Sequence, residues 1–316
     1  METTLMKRFS GRKILITGAS GFLGSHLIDR LHNCGAEIHG TSRFKRSSPS
    51  PAVHWHQSDL IELGSIQNLI AQVKPDVIFH FAGHATAAPD LQLVLPSLQS
   101  LLVSTVNLLM AASGARCGRV VLLGSLTEPL ASHNEAVPGS PYAAAKYASS
   151  LYGRMFQALY GVPVVIARPF MTYGPGQDSK KLIPYVVTSL LDERPPRLSN
   201  GELQADWIYI DDVIEGLMAI AEVPGLEGVT IDFGSGVLTS VRSIVKHLVA
   251  LTGAHVEPLF GAVADRPKEQ VRIADTERTF LRLGWKPTIS LSQGLQETVM
   301  CLRREKVASP KLVCSP

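Results

Sequence analysis

The segment that most limits how this chain can fold lies near its start. Lys13-Ile14-Leu15-Ile16-Thr17 is a short apolar run of the kind buried on both faces of a parallel sheet. It passes without a spacer into Gly18-Ala19-Ser20-Gly21-Phe22-Leu23-Gly24, and an apolar-periodic helix follows to about Cys34. Glycines at 18, 21 and 24 permit a tight turn, a close approach of backbone to a pyrophosphate, and close packing of helix on strand. The helix N-terminus then offers N–H groups and the positive end of a dipole to an anion. Such a unit points to an α/β fold that binds a dinucleotide.

The strands that follow support a doubly wound parallel sheet. Ala36–Thr41, Val53–Trp55, Val77–Phe81, Arg119–Leu123 and Val162–Ala167 read as short strands alternating with helical segments. After Gly176 the alternation loosens into a smaller lobe expected to bind substrate. We place the dinucleotide-binding domain at 1–176 and the lobe at 177–303, with 207–235 returning to the large sheet and 304–316 as a flexible tail.

With 316 residues, 45% of them hydrophobic, the chain can bury a large core. A net charge of +3 is too small to argue for nucleic acid or a membrane surface. Cys34, Cys117, Cys301 and Cys314 have no metal-ligand spacing, so no metal is expected and the thiols fit a reduced, cytoplasmic setting. We expect no signal peptide and no run apolar enough to span a bilayer.

Chemistry is suggested at Ser140-Pro141-Tyr142-Ala143-Ala144-Ala145-Lys146. Ser140 can cap a helix and Pro141 suits its first position. Tyr142 and Lys146 then share one face at i and i+4. An ammonium beside a phenol favours the phenolate, so the pair can move a proton near neutrality. Ser125, delivered at the end of the fifth strand, can polarise a substrate oxygen beside Tyr142. The second strand ends Thr41-Ser42-Arg43 with no acid to accept ribose hydroxyls. Ser42 and Arg43 can meet a 2′-phosphate, with Lys45 and Arg46 adding positive potential. NADP(H) is therefore preferred over NAD(H), which stays possible. Asp59 can accept from an adenine amino group or cap a helix. Ala82 and Gly83 let the backbone pass a bound ribose, and His84 lies toward the substrate side. His80 reads as a packed histidine.

Together these residues resemble the extended short-chain dehydrogenase/reductases that act on nucleotide sugars, the epimerase/dehydratase family. The likeness runs from Lys13 to Trp285. It rests on Thr17-Gly18-x-x-Gly21-x-x-Gly24, Asp59-Leu60, His80-Phe81-Ala82-Gly83, Ser125, Tyr142-x-x-x-Lys146, Arg168-Pro169-x-x-x-Tyr173-Gly174-Pro175, Asp206-Trp207-Ile208-x-x-Asp211-Asp212-Val213, and Arg266-Pro267 before Leu283-Gly284-Trp285. The resemblance implies that Tyr142 is the acid/base, Lys146 holds the nicotinamide ribose and Ser125 orients the reacting oxygen. It implies cofactor contacts from the Gly18–Gly24 loop with Ser20, Phe22 and Leu23, and from Asp59, Leu60, Ala82, Gly83 and Pro169. Arg266 would grip the diphosphate of a nucleotide-sugar substrate. The Leu91–Ser113 and Tyr142–Tyr160 helices would form a four-helix homodimer interface.

Departures from the family pattern refine this. Leu126 stands where 4,6-dehydratases carry an acid, unless the alignment shifts to make Thr127 the catalytic hydroxyl, with Glu128 next to it. Met171 replaces an asparagine that touches the nucleotide sugar, Ala205 an arginine, and Leu101 an asparagine near the nicotinamide. The expected reaction is NADPH-dependent reduction of a nucleotide-linked 4-keto-sugar. The alternative is a 4-epimerase with retained NAD, followed by a 4,6-dehydratase or a non-catalytic dinucleotide-binding protein.

Overall fold

The structure, a computed structural model, describes residues 8–44, 52–129, 137–265 and 271–308. Its centre is a seven-stranded, all-parallel sheet. The strands are β1 (Lys13–Thr17), β2 (Glu37–Ser42), β3 (Val53–Gln57), β4 (Val77–His80), β5 (Arg119–Leu123), β6 (Val164–Pro169) and, later in the chain, β9 (Thr230–Phe233). Their order in space is β3-β2-β1-β4-β5-β6-β9. Strand order reverses between β1 and β4, so the carboxyl ends there open onto a crevice.

Alternation along the strands builds two cores. Ile14 and Ile16 face one side, where helix α1 (Phe22–Asn33) supplies Leu27 and Leu31. Leu15 and Ile78 face the other, against Ile66 and Leu69 of α2 (Leu63–Val73) and Leu108 of α3 (Leu91–Ser113). Both faces are dry, which is why β1 reads as a continuous apolar run.

Helix α3 corrects one expectation. Its 23 residues, with a mean hydropathy of 1.6, are long and apolar enough to cross a membrane by length and composition. Here it packs beside α4 (Pro141–Tyr160), and one third of its apolar window is buried. It is also irregular: Leu98–Val103 is wound as π-helix.

The small lobe holds α5 (Leu182–Leu191), α7 (Val241–Thr252), α8 (Thr276–Leu283), α9 (Leu291–Ala308) and a second sheet. That sheet has the order β10-β8-β7, from Met171–Tyr173 (β7), Gln204–Tyr209 (β8) and Leu238–Ser240 (β10). β7 and β10 have three residues each, too short to show a period in sequence. β8 belongs here and not to the large sheet, which only β9 rejoins, beside β6. α9 continues past Arg304 to Ala308.

Two buried carboxylates fasten the lobe. Asp206 accepts from Ser235 N–H (2.6 Å), Ser235 Oγ (2.7 Å), Gly236 N–H and Ala274 N–H (both 3.0 Å). Asp212, in α6 (Ile210–Glu222), accepts from Thr288 N–H and Oγ1 (both 2.9 Å) and Ile289 N–H (3.0 Å). Carboxylates that accept several N–H bonds tolerate burial that would otherwise neutralise them.

His80 is packed in the interior as part of a hydrogen-bond chain. Ala82 N–H donates to Thr17 Oγ1 (3.2 Å), which pairs with His80 Nδ1 (2.7 Å). His80 Nε2 pairs with Thr105 Oγ1 (3.1 Å), which donates to the Leu101 carbonyl (2.6 Å). The chain is consistent in one direction only: a neutral imidazole with its proton on Nε2. Burial, with the Lys146 charge adding to it, lowers the His80 pKa to about 3. Between there and the ordinary histidine range the unfolded chain binds a proton that the fold does not. Stability is therefore lost as pH falls through that window and is untouched above it. The wild type should lose about 3 kcal/mol more than His80→Asn between neutrality and ~pH 4, measured by urea unfolding. Equal losses in both proteins would show that His80 accepts its proton without strain.

Candidate functional site

The site lies over the carboxyl ends of β1, β4, β5 and β6. Gly18 takes φ +68°, and a Cβ there would stand 2.7 Å from Ala82 N and Phe81 C. Gly24 is tighter: a Cβ would meet the Gly18 carbonyl oxygen at 2.4 Å. Gly21 occupies the N-cap of α1, where no side chain caps the helix and no acid sits in the first turn. The N–H groups of that turn are left for an anion. This cradle of backbone fits a pyrophosphate.

Helix α4 carries the Tyr142–Lys146 face. Ser140 Oγ accepts from Ala143 N–H (3.2 Å), Pro141 opens the helix, and Gly161 closes it at φ 68°. Lys146 is buried, and its Nζ donates to the Leu123 carbonyl at the end of β5 (2.7 Å). Desolvation brings its pKa down to about 8, opposed by the negative charge of Glu128. Tyr142 is half-buried, and Ser125 is the neighbouring side chain that favours its ionised form. Burial raises the phenol pKa, Ser125 lowers it, and Glu128 raises it again. The ammonium is turned to the Leu123 carbonyl, and the hydroxyl of Ser125 is the group that favours the phenolate.

Ser125 and Thr127 face one another, Oγ to Oγ1, at 2.9 Å. Thr127 thus lies one hydrogen bond behind Ser125. Its neighbour Glu128 is buried, with Oε1 accepting from Ser125 N–H (2.7 Å) and Ser150 Oγ (3.1 Å). The sequence brings in Glu128 only as the acid beside Thr127 in a shifted alignment; its bond to Ser125 N–H is not legible there. Arg168, at the end of β6, pairs with Asp232 of β9 at 2.7 Å.

Other expected residues scatter around this centre. Ala82 is tied to Thr17, and Gly83 (φ +145°) has the Leu101 side chain against it. Leu101 fills the space a larger residue at 83 would need, and its carbonyl also accepts from Ser149 of α4 (3.0 Å). Ser20 and His84 are exposed, while Phe22, Leu23, Pro169 and Met171 are half-buried. Asp59 accepts from Ile61 N–H (3.1 Å) in a local turn, and Leu60 is part of the core around Leu15. Ser42 Oγ accepts from Phe44 N–H (3.3 Å), and Arg43 is exposed. Arg266, Lys45 and Arg46 lie outside the described residues. Among the described residues, no group of three or more His, Cys, Asp or Glu side chains could hold a metal.

Residues 14–231 match the NAD dependent epimerase/dehydratase family. The chain belongs to it. It is 30% identical to the UDP-glucose 4-epimerase of Mycolicibacterium smegmatis, over 93% of this chain and 99% of that protein. It is 26% identical to the dTDP-glucose 4,6-dehydratase of Haemophilus influenzae, over 90% and 96%. Among solved structures it is similar to the UDP-glucose 4-epimerase of Thermotoga maritima with UDP-glucose, at a TM-score of 0.84 and 22% identity, covering 93% and 99%. The protein is an NAD-dependent enzyme of the extended short-chain dehydrogenase/reductase class.

The expected preference for NADP(H) is overturned. Similar solved structures hold NAD or NADH, among them MoeE5 with UDP-glucose and NAD, and Bordetella bronchiseptica WbmF with NADH. In this structure Ser42 Oγ accepts from Phe44 N–H within its own turn, Gln57 Nε2 donates to the Arg43 carbonyl (3.2 Å), and the Arg43 side chain is exposed.

The glycine cradle yields a direct test. A methyl group at Gly24 forces backbone apart at the Gly18 carbonyl, and overpacking of this kind costs about 1–3 kcal/mol. Gly24→Ala should lower the melting temperature and weaken NAD binding by roughly tenfold or more, read by fluorescence titration. Unaltered NAD affinity would separate this loop from the cofactor.

Proposed function

We propose that this protein is a nucleotide-sugar 4-epimerase that retains its NAD through the catalytic cycle. One observation carries the reading. The position where a dehydratase needs an acid holds Leu126, and the nearby carboxylate, Glu128, is turned inward to Ser125 N–H and Ser150. Tyr142 is then the acid/base and Ser125 its hydroxyl partner. Likeness to the mycobacterial epimerase over nearly its whole length supports the same reading. The 4-keto-sugar reduction expected from sequence loses its ground with the NADP preference.

In this reading the Gly18–Gly24 loop and Lys146 hold the cofactor, which supplies a hydride acceptor and donor. Tyr142 takes the proton from the sugar C4 hydroxyl and later returns it. Ser125 donates to the same oxygen and orients it. Lys146 is an ammonium at neutral pH, and its charge is lost above about 8. Arg266 would bind the diphosphate, with His84, Thr127 and Met171 near the sugar.

The test uses protein purified without added cofactor. It should carry NAD and interconvert UDP-galactose and UDP-glucose with no cofactor supplied. Tyr142→Phe should keep the fold and the NAD while losing ~10²–10⁴-fold in turnover. A requirement for stoichiometric NADPH, or conversion of dTDP-glucose to a 4-keto-6-deoxy product, would overturn the epimerase.

We also propose that the enzyme is a homodimer through α3 and α4. Leu91, Leu95 and Leu98 on one helix and Leu151, Tyr152 and Leu159 on the other are exposed. Two adjacent helices from each of two copies would bury them as a four-helix layer. Leu95→Glu with Leu151→Glu should convert the wild-type dimer to a monomer in sedimentation. A wild-type monomer would remove this interface.

A further inference from the structure

The loop that carries Ser125 is held by groups that the reaction itself does not use. Gly124 to Glu128 leaves β5 and doubles back on itself. Gly124 N–H donates to the Ala167 carbonyl (2.7 Å), and Glu128 N–H to the Ser125 carbonyl (3.2 Å). The Glu128 side chain then folds underneath. Its Oε1 accepts from Ser125 N–H and from Ser150, two turns along α4 from Tyr142. The fit is close enough to dictate the neighbouring residue. A Cβ on Gly124 would stand 2.8 Å from Glu128 Oε1 and 3.0 Å from Ile166 Cγ2.

The outer side of the same loop is held from the small lobe. Arg272 is 8% exposed, and its NH1 donates to both the Leu126 carbonyl (2.6 Å) and the Glu128 carbonyl (2.7 Å). Its guanidinium lies 6.0 Å from the Phe170 ring. Two residues on, Ala274 N–H is bonded to Asp206, the carboxylate that fastens the lobe. One connected path therefore runs from Asp206 through Ala274 and Arg272 to the Ser125 loop, and through Glu128 to α4. Two elements that must agree in position, the Ser125 loop and the Tyr142 helix, meet on a single carboxylate oxygen.

We propose that Glu128 is a positioning residue that sets the Ser125 hydroxyl against Tyr142, and that Arg272 locks this position from the small lobe. This rests on the reading of Ser125 and Tyr142 as the reacting pair. Neither Glu128 nor Arg272 contacts the reacting atoms; both act through Ser125. Misplacing an orienting group by about an ångström costs on the order of 10²-fold in rate.

The test is a double-mutant cycle on kcat and KM with Ser125→Ala, Glu128→Ala and the pair together, beside Glu128→Gln. Residues that act as one unit are not additive. Glu128→Ala should lower kcat about as far as Ser125→Ala, on the order of 10–100-fold, with KM nearly unchanged and NAD retained. The double variant should fall no further. Glu128→Gln keeps an oxygen acceptor for both bonds and should restore most of kcat. Independent, multiplying losses, or wild-type kcat in folded Glu128→Ala, would overturn the proposal. If Glu128→Ala fails to fold, Arg272→Met replaces it in the same cycle with the same expectations.

A second readout needs no sugar and so separates this inference from the epimerase reading. The Tyr142 phenol is followed by tyrosinate absorbance, taken as the difference from Tyr142→Phe. Ser125→Ala removes the hydroxyl that favours the phenolate, so the titration moves to higher pH. Arg272→Met should move it the same way by releasing the loop. An Arg272→Met titration identical to wild type would sink the lock even if no sugar nucleotide is turned over.

Discussion

A parallel sheet buried on both faces has only one place for polar chemistry, the ends of its strands. Ile14, Leu15, Ile16, Val77, Ile78, Val121 and Val165 are almost fully enclosed, so nothing charged can stand along the middle of the sheet at low cost. The carboxyl ends differ because the chain must leave the sheet there and turn into a helix. Gly18 after β1, Ala82 and Gly83 after β4, Gly124 and Ser125 after β5, and Arg168 at the end of β6 all lie on that rim. The site is assembled from residues far apart in sequence because the sheet brings these ends together. His80, at the end of β4, remains inside because Thr17 and Thr105 satisfy both ring nitrogens.

How much of this could be read from the sequence depends on the distance over which each feature is fixed. The glycine turn, the capped helix at Ser140 and the Tyr142–Lys146 spacing are local, and they stand where the residues imply. The large sheet followed from short β-rich runs alternating with periodic helices. Failure came where the determinant was remote. β7 and β10 exist because each pairs with β8, and neither has a pattern of its own. Nothing in Ser42-Arg43 itself distinguishes a phosphate clamp from a solvent-facing turn: an exposed Arg43 side chain suits either. Glu128 and Arg272 are 144 positions apart, and their bond is invisible to any local reading.

The small lobe shows why acids that mark a family need not be chemical. Asp206 and Asp212 belong to the motif that carried the resemblance, yet both carboxylates are consumed by backbone N–H and hydroxyl donors from later in the chain. Each ties β8 or α6 to a segment at least 29 residues later, at 235–236, 274 or 288–289. An apolar residue of similar size would leave those donors unpaired in the interior, at about 1–3 kcal/mol for each group. Their role is to fix the lobe over the crevice, and the segment that carries Arg272 is positioned as a consequence.

The charges around Ser125 illustrate how such a site can hold ionised groups without water. Lys146, Glu128, Arg272, Arg168 and Asp232 form a patch of three positive and two negative groups. Burial raises the Glu128 pKa, and Arg168 and Lys146 oppose that rise. Burial lowers the Lys146 pKa, and Glu128 opposes that fall. Arg272 is pushed down by burial and by Arg168, and pulled back by Asp232 and Glu128. No member is stable alone at this depth; removal of one leaves another uncompensated, which costs more than the pair contributes. Glu128 therefore has a second reason to be where it is. Its Oε1 accepts from Ser125 N–H and Ser150, and its charge raises the Lys146 pKa against the pull of burial. The same charge opposes the phenolate at Tyr142, and the Ser125 hydroxyl is what offsets it. One carboxylate oxygen thus ties the serine loop to α4, and its charge acts on both Lys146 and Tyr142.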